Sequence, residues 1–256
     1  MDTRPVIAAH PIIAAHRGLD EFAPENTAPA LIAALELGMA VEVDLRRTSD
    51  GEIVIIHDET LDRTTSGTGP VANASLDEIK ALDAGRWHDE RFTGEKVPTL
   101  NDLCEIAATH GRAEVALVLE TKVDDPQMGA DVCRTLNDHG LMQRAIGIGT
   151  IMTAQDVRQR FVDASADFNA ACLANTPQDL EPALADESSS WLYARFVPTP
   201  QQMDATHRAG KRLIASGPDV MENVDLALAA MRNGVDIALS NHPVDLAARW
   251  RDRERT

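Results

Sequence analysis

The sequence predicts an α/β fold, a (β/α)8 TIM barrel with a small insertion after the hairpin of its second strand. Three observations predict it. Short apolar runs alternate with amphipathic stretches along the whole chain. Several of these stretches stop at a glycine (Gly38, Gly111, Gly140, Gly210, Gly234) just before the next run, as helix C-termini do. Eight such runs fit within 256 residues, the usual size of a closed barrel. A doubly wound open sheet is the competing arrangement, and strand count alone does not separate the two.

In chain order the strand candidates are 12–15, 40–45, 115–120, 145–148, 168–173, 191–194, 212–215 and 236–239. Helical patterns fall at 27–37, 100–109, 128–139, 200–209 and 222–233. The first of these carries Leu31, Ala34 and Leu35 on one face. Asn26 or Thr27 is its expected cap. Asp50-Gly51 lies between the apolar runs 40–45 and 53–56 and marks a hairpin. The connection is too short for a parallel crossover, so 53–57 returns antiparallel and is not a barrel strand. With a two-residue turn, Ser49 faces Glu52, Arg46 faces Ile55 and Asp44 faces His57. That register delivers His57 beside Asp44, on the sheet face of Glu42. Residues 59–98 are rich in Thr, Gly, Asp and Pro, with one short helix near 75–82. They read as an excursion above one face of the barrel, where functional insertions lie. A single domain over 1–256 is expected.

Composition narrows the function. Apolar residues make up 44% and charged residues 25%, the balance of a globular protein. The formal charge is −17, which repels phosphate polymers and anionic lipid surfaces. No nucleic-acid partner is expected. No run approaches the roughly 20 apolar residues that span a bilayer, so no stable membrane anchoring is expected either. The first 18 residues open with an acid and are broken by Pro5 and Pro11, a poor secretory signal. Cys104, Cys133 and Cys172 are scattered singly. Reduced core thiols in a cytoplasmic protein are the simplest reading, and a cysteine zinc site is not supported.

Chemistry gathers at the C-terminal ends of the first three strands, where barrels carry their functional groups. His16-Arg17 closes the first, and Gly18 allows a sharp exit. Glu42 and Asp44 end the second, two apart and therefore on one face. Glu120 and Lys122 end the third with the same spacing. Three converging carboxylates call for a divalent cation, and all-oxygen ligands favour Mg²⁺, Mn²⁺ or Ca²⁺. His16 and His57 flank that cluster, with Arg17 and Lys122 ready for an anion. Such a set suits phosphodiester cleavage. Cations stabilise charge on the phosphate oxygens, while two imidazoles move the protons. Sequence leaves open which histidine is the acid. His10, His88, His110, His139 and His207 have no such company and read as surface or loop residues; His242 falls on the functional rim, with its role open.

The ordered motifs sharpen this. His16-Arg17-Gly18, Pro24-Glu25-Asn26-Thr27, Glu42-Val43-Asp44 and His57-Asp58 are followed by Thr60-Leu61-Asp62-Arg63-Thr64-Thr65. Leu82-Asp83-Ala84-Gly85, Pro98-Thr99-Leu100 and Glu120-Thr121-Lys122 come next. Together they resemble the glycerophosphodiester phosphodiesterase family over residues 12–122. The resemblance implies a β/α barrel and hydrolysis of a small-molecule glycerophosphodiester to glycerol phosphate and an alcohol. It implies His16 and His57 as acid and base, Glu42, Asp44 and Glu120 as metal ligands, and Arg17 and Lys122 as phosphate contacts. It also implies that a neighbouring substrate hydroxyl can serve as nucleophile, giving a cyclic intermediate.

The C-terminal half departs from that pattern. Ala215-Ser216-Gly217-Pro218 stands where members often have Trp-Thr-Val-Asn, and Ser240-Asn241-His242-Pro243 where they often have Thr-Asp-x-Pro. The Ser-Phe that often ends the fourth strand is absent near Gly149-Thr150. Two alternatives therefore stand beside the leading one. One is a lysophospholipase D-like or sphingomyelinase D-like enzyme releasing a cyclic phosphate. The other is a barrel that binds a phosphate ligand without turnover. Pro24–Thr27 has a sufficient structural role in its loop and is not assigned to catalysis.

Overall fold

The computed structural model describes residues 11–112 and 115–253. The N-terminal segment and His10 lie outside them. Its strands are β1 (Ile12–Ala15), β2 (Ala40–Arg47), β3 (Ile53–Ile55), β4 (Leu117–Thr121), β5 (Ala145–Ile148), β6 (Asn169–Ala174), β7 (Trp191–Ala194), β8 (Arg212–Ala215) and β9 (Ile237–Ser240). All pair in parallel except β3, which runs antiparallel to β2. The order β1-β9-β8-β7-β6-β5-β4-β2 closes through a β1–β2 pairing. The result is an eight-stranded parallel barrel, and the open-sheet alternative falls.

Helices lie between the strands. They are α1 (Ala28–Glu36), α2 (Leu76–Ala81), α3 (Leu100–His110), α4 (Met128–Asp138), α5 (Gln155–Ala164), α6 (Leu180–Ala185), α7 (Pro200–Arg208), α8 (Pro218–Glu222), α9 (Val224–Arg232) and α10 (Pro243–Arg253). The core between strands and helices forms two clusters that share the partly buried Ile13, the larger with Leu31, Leu35, Leu45, Leu117 and Leu119 fully buried. The excursion 59–98 holds α2 and builds a small core of its own from Leu61, Val71, Ile79, Ala84 and Val97 against Val54 and Ile56 of the hairpin. Cys104, Cys133 and Cys172 are buried and free. Burial pushes the Cys104 thiol up to about 12, so it is unreactive at neutral pH.

Two local expectations fail, each for a physical reason. The hairpin pairs Leu45 with Ile55 and Arg47 with Ile53, one residue off the expected register. Its loop is Ser49-Asp50-Gly51, not Asp50-Gly51 alone. Thr48 takes both bonds to Glu52: its N–H donates to the Glu52 carbonyl (3.0 Å) and its hydroxyl accepts from the Glu52 N–H (2.9 Å). Gly51 then supplies a left-handed φ of 91° as the third loop residue. The Asp50 carboxylate is drawn off to the first turn of α2, where it accepts from the Leu76 N–H at 3.1 Å. Asp44 consequently lies opposite Ile56, whose N–H donates to the Asp44 carbonyl (3.0 Å), and not opposite His57. The second failure is at α1. Thr27 occupies the cap position, but neither it nor Asn26 caps with its side chain. Thr27 Oγ1 donates to the Pro24 carbonyl instead, and Asn26 is used by the site.

Candidate active site

The parallel register explains why three carboxylates meet. Asp44 on β2 stands directly beside Glu120 on β4, and Glu42 is two residues back on the same face. One oxygen each of Glu42, Asp44 and Glu120 lies within 4.8 Å of the others. Glu42 and Asp44 are wholly buried. Such a cluster needs positive charge. Lys122 Nζ sits 3.0 Å from both Asp44 Oδ1 and Glu120 Oε1, and Arg17 Nε lies 3.3 Å from Asp44 Oδ2. Burial alone would raise the Asp44 carboxyl, but Lys122 and Arg17 override it and hold it below the usual carboxylate range. Glu42 goes the other way. Burial, then the charges of Asp44 and Glu120, push it well above its ordinary value. Its Oε1 is buried with no hydrogen-bond partner. A buried carboxylate that is raised, unbonded at one oxygen and joined by two others is the donor set of a hard divalent cation.

The loop from Arg17 to Thr27 braces this cluster. Arg17 and Asn26 both have left-handed backbones, φ 55° and 58°. Each such residue costs about 1 kcal/mol or more and persists only where other contacts enforce it. Those contacts are here. The Arg17 N–H donates to Glu42 Oε2 at 3.1 Å, the Asn26 amide donates to Asp44 Oδ2 at 2.8 Å, and the Asn26 N–H donates to the Arg17 carbonyl at 2.9 Å. Gly18 follows with φ 82°, and a Cβ there would meet the Ala30 backbone at 2.7 Å. The strand end and α1 are thus pressed together, leaving the Arg17 side chain on the rim.

His16 leaves β1 with Nε2 3.9 Å from Glu42 Oε2. Burial, and then the Arg17 charge, lower it to about 4, so it is neutral at pH 7. The Asn241 amide faces it from the end of β9. His57 reaches the site by the turn after Ile56, not by the strand pleat. Its carbonyl accepts from Arg46 Nε (2.9 Å) and its Nδ1 lies 2.8 Å from Asp58 Oδ1. The Asp44 carboxyl feels both imidazoles, since its charge acts on His16 and that of His57 acts on it. The other six expected site residues therefore gather around Asp44, although His57 arrives by a different route. His242 closes the rim elsewhere, with Nδ1 2.8 Å from Glu21 Oε1.

Sequence reasoning missed several neighbours. Asn26 was given a capping role and Glu25 none, yet Glu25 Oε1 accepts from Arg17 Nη1 at 2.9 Å. Tyr193 was not singled out. It is buried in the barrel; burial and then Glu120 raise its hydroxyl, which meets Ser216. It is the single tyrosine of the chain, on a short strand next to the one that ends just before Ser216, and that is the available signal.

The glycerophosphoryl diester phosphodiesterase family matches residues 16–238. A glycerophosphodiester phosphodiesterase of Caldanaerobacter subterraneus is 49% identical over 96 residues, 37% of this chain and 40% of that protein. One from Bacillus subtilis is 36% identical over 139 residues, 50% of this chain and 46% of its own. In these matches the chain spans less than half the length of the curated relatives. The crystal structure of a glycerophosphodiester phosphodiesterase from Agrobacterium tumefaciens superposes with a TM-score of 0.77 at 30% identity, covering 93% of this chain and 99% of that one. An Oleispira antarctica phosphodiesterase, solved with the product sn-glycerol-3-phosphate, gives 0.79 at 25% identity over 93% and 96% of the two chains. With the barrel, the three-carboxylate cluster and a match over most of its length, this chain belongs to the glycerophosphoryl diester phosphodiesterase family.

Proposed function

We propose that the protein hydrolyses glycerophosphodiesters to glycerol phosphate and an alcohol. The roles assigned are His16 and His57 for proton transfer, Glu42, Asp44 and Glu120 for one divalent cation, and Arg17 and Lys122 for the phosphate. The observation that carries this is the buried cluster of three carboxylates with both imidazoles in the field of Asp44. A cation bound there would neutralise charge growing on the phosphate oxygens. Mg²⁺ and Ca²⁺ fit the all-oxygen donors best, with Mn²⁺ a third choice. Arg17 and Lys122 orient the diester through its free oxygens. A water or a neighbouring hydroxyl attacks phosphorus, and the bond to the leaving alcohol's oxygen breaks; after attack by the hydroxyl, a water must then open the cyclic phosphate to give glycerol phosphate. His16, neutral at pH 7, is suited to take the proton of the attacking hydroxyl. His57, with the Asp58 carboxylate behind it, is suited to deliver one to the leaving alkoxide. That order of roles goes beyond what the sequence fixes.

The same reading makes the chain a single catalytic domain with the excursion 59–98 as part of its site. The relative solved in complex with sn-glycerol-3-phosphate supports glycerol as one half of the substrate. No described helix is long and apolar enough to cross a membrane. Three free, buried thiols accord with a reducing cytoplasm, and a charge of −17 accords with a small-molecule substrate in place of nucleic acid. The test is a panel of glycerophosphodiesters assayed with Mg²⁺, Mn²⁺ and Ca²⁺. Wild-type protein turns over at least one, chelator stops it, and His16→Ala and His57→Ala each lose about a hundredfold or more in kcat while staying folded. Turnover that survives excess chelator overturns the cation assignment. Silence on every diester leaves a phosphate-binding barrel. Phosphorus NMR of the product separates glycerol phosphate from a cyclic phosphate.

A further inference from the structure

Arg63 belongs to the excursion, not to a barrel strand. Its guanidinium nevertheless spans two carboxylates of the site. Nη1 donates to Glu25 Oε2 at 2.6 Å and Nη2 to Glu25 Oε1 at 2.8 Å. Nε donates to Asp58 Oδ2 at 2.7 Å, and Nη2 reaches Asp58 Oδ1 at 3.0 Å. Each carboxylate is already engaged with a functional side chain. Glu25 Oε1 holds Arg17 Nη1 at 2.9 Å, and Asp58 Oδ1 holds His57 Nδ1 at 2.8 Å. One planar cation thus joins the backing of the phosphate contact to the backing of a catalytic imidazole.

The energetics point to geometry as its purpose. The Arg63 side chain is 43% exposed, and ion pairs so exposed add little to stability. Four bonds from one rigid fork do fix the planes of two carboxylates, which a lysine ammonium cannot do. Asp58 is held ionised by Arg63, and an ionised carboxylate only accepts. His57 must therefore keep a hydrogen on Nδ1 in either protonation state, which makes Nε2 the nitrogen that holds the proton for the substrate. Glu25 restrains Arg17 in the same way.

We infer that Arg63 is a positioning residue that fixes the His57 ring and the Arg17 guanidinium together, through Asp58 and Glu25. It makes the excursion a working part of the catalytic site and not only a cover. The inference rests on the roles proposed for His57 and Arg17, and the test separates the two. In Arg63→Ala, kcat falls about tenfold or more and KM rises, because both proton transfer and phosphate orientation loosen. Guanidinium ion, added well below unfolding concentrations, restores part of the lost rate. Arg63→Lys keeps the stem and the charge but not the fork, and stays impaired. Arg91→Ala, which removes another arginine of the excursion paired with Asp89 at the surface, leaves turnover unchanged. Nitrogen-15 spectra recorded at a pH where the imidazoles are neutral give a readout without substrate: the neutral His57 ring is the Nδ1–H tautomer in wild type and a mixture in Arg63→Ala. Wild-type kcat, KM and tautomer in both Arg63 variants overturn the inference. A wild-type protein that cleaves no phosphodiester overturns the function instead, and the tautomer comparison alone then decides the role of Arg63.

Discussion

At the residue scale the site trades stability for chemistry, and His16 makes this measurable. Its imidazole is held at about 4, from an ordinary 6.5, first by burial and then by Arg17. A histidine whose folded value is depressed stabilises the fold when neutral. That stability is complete above pH 6.5 and drains away as pH falls toward 4, because the unfolded chain takes up the proton first. The loss is about 3 kcal/mol at most. In metal-free protein, wild type should therefore lose more unfolding free energy than His16→Gln between pH 6.5 and 4, read from urea midpoints. Parallel profiles for the two proteins would mean that the ring is solvated and not buried beside Arg17. The residue types at this site were legible in the sequence because chemistry restricts them. Carboxylates two apart at one strand end read as a rim pair by themselves, but Glu42, Asp44 and Glu120 together on neighbouring strand ends read as a metal site. Asn26 was not legible, because its capping role and its bond to Asp44 look identical along the chain.

At the scale of elements, strands were the easiest to read. Barrel strands are buried on both faces, so β5, β7 and β8 stand out as short apolar runs and occur where expected. Helices were read where a glycine ended them. Gln155–Ala164 stops at Ser165, Leu180–Ala185 is short and contains Pro182, and Pro243–Arg253 has no such glycine, so none gave a signal. The hairpin register was not legible, since the side chains of Thr48 and Asp50 set the loop length. Glycine positions separate turn geometry from packing. Gly51→Ala forces a left-handed alanine with nothing within 4 Å of the new Cβ, and should cost about 1 kcal/mol. Gly18→Ala adds a Cβ 2.7 Å from the Ala30 backbone at φ 82°, and should cost more than about 2 kcal/mol. Because Arg17 precedes it, Gly18→Ala should also depress kcat, while Gly51→Ala leaves it near wild type. Equal stability losses in denaturant titrations would refute the close approach of α1.

At the scale of the whole molecule, the barrel separates its tasks by end. The end beneath β7 and β8 is tied by buried cations: Lys211 Nζ donates to the carbonyls of Ala183 and Ser189, and Arg158 Nε to Ser188 Oγ. The other end collects acids and leaves the Glu42 carboxyl above its ordinary range. A chain of net charge −17 gains from any cation, so specific and general effects must be told apart. A divalent ion held by Glu42, Asp44 and Glu120 binds the folded state alone, because β2 and β4 bring the three together only there. It should therefore stabilise by about 2.7 kcal/mol at a hundred times its Kd, and by about 1.4 kcal/mol more for each further tenfold of free ion. For a chain of this length that raises Tm by roughly 5 °C or more. Screening by monovalent salt at equal ionic strength should give a smaller rise. Glu42→Gln should abolish the part of the divalent-ion rise that exceeds the monovalent control. It should also melt higher than wild type without metal, since a neutral amide replaces a carboxyl that burial penalises. A Glu42→Gln protein that still shows the full divalent-specific rise would move the ion away from this cluster.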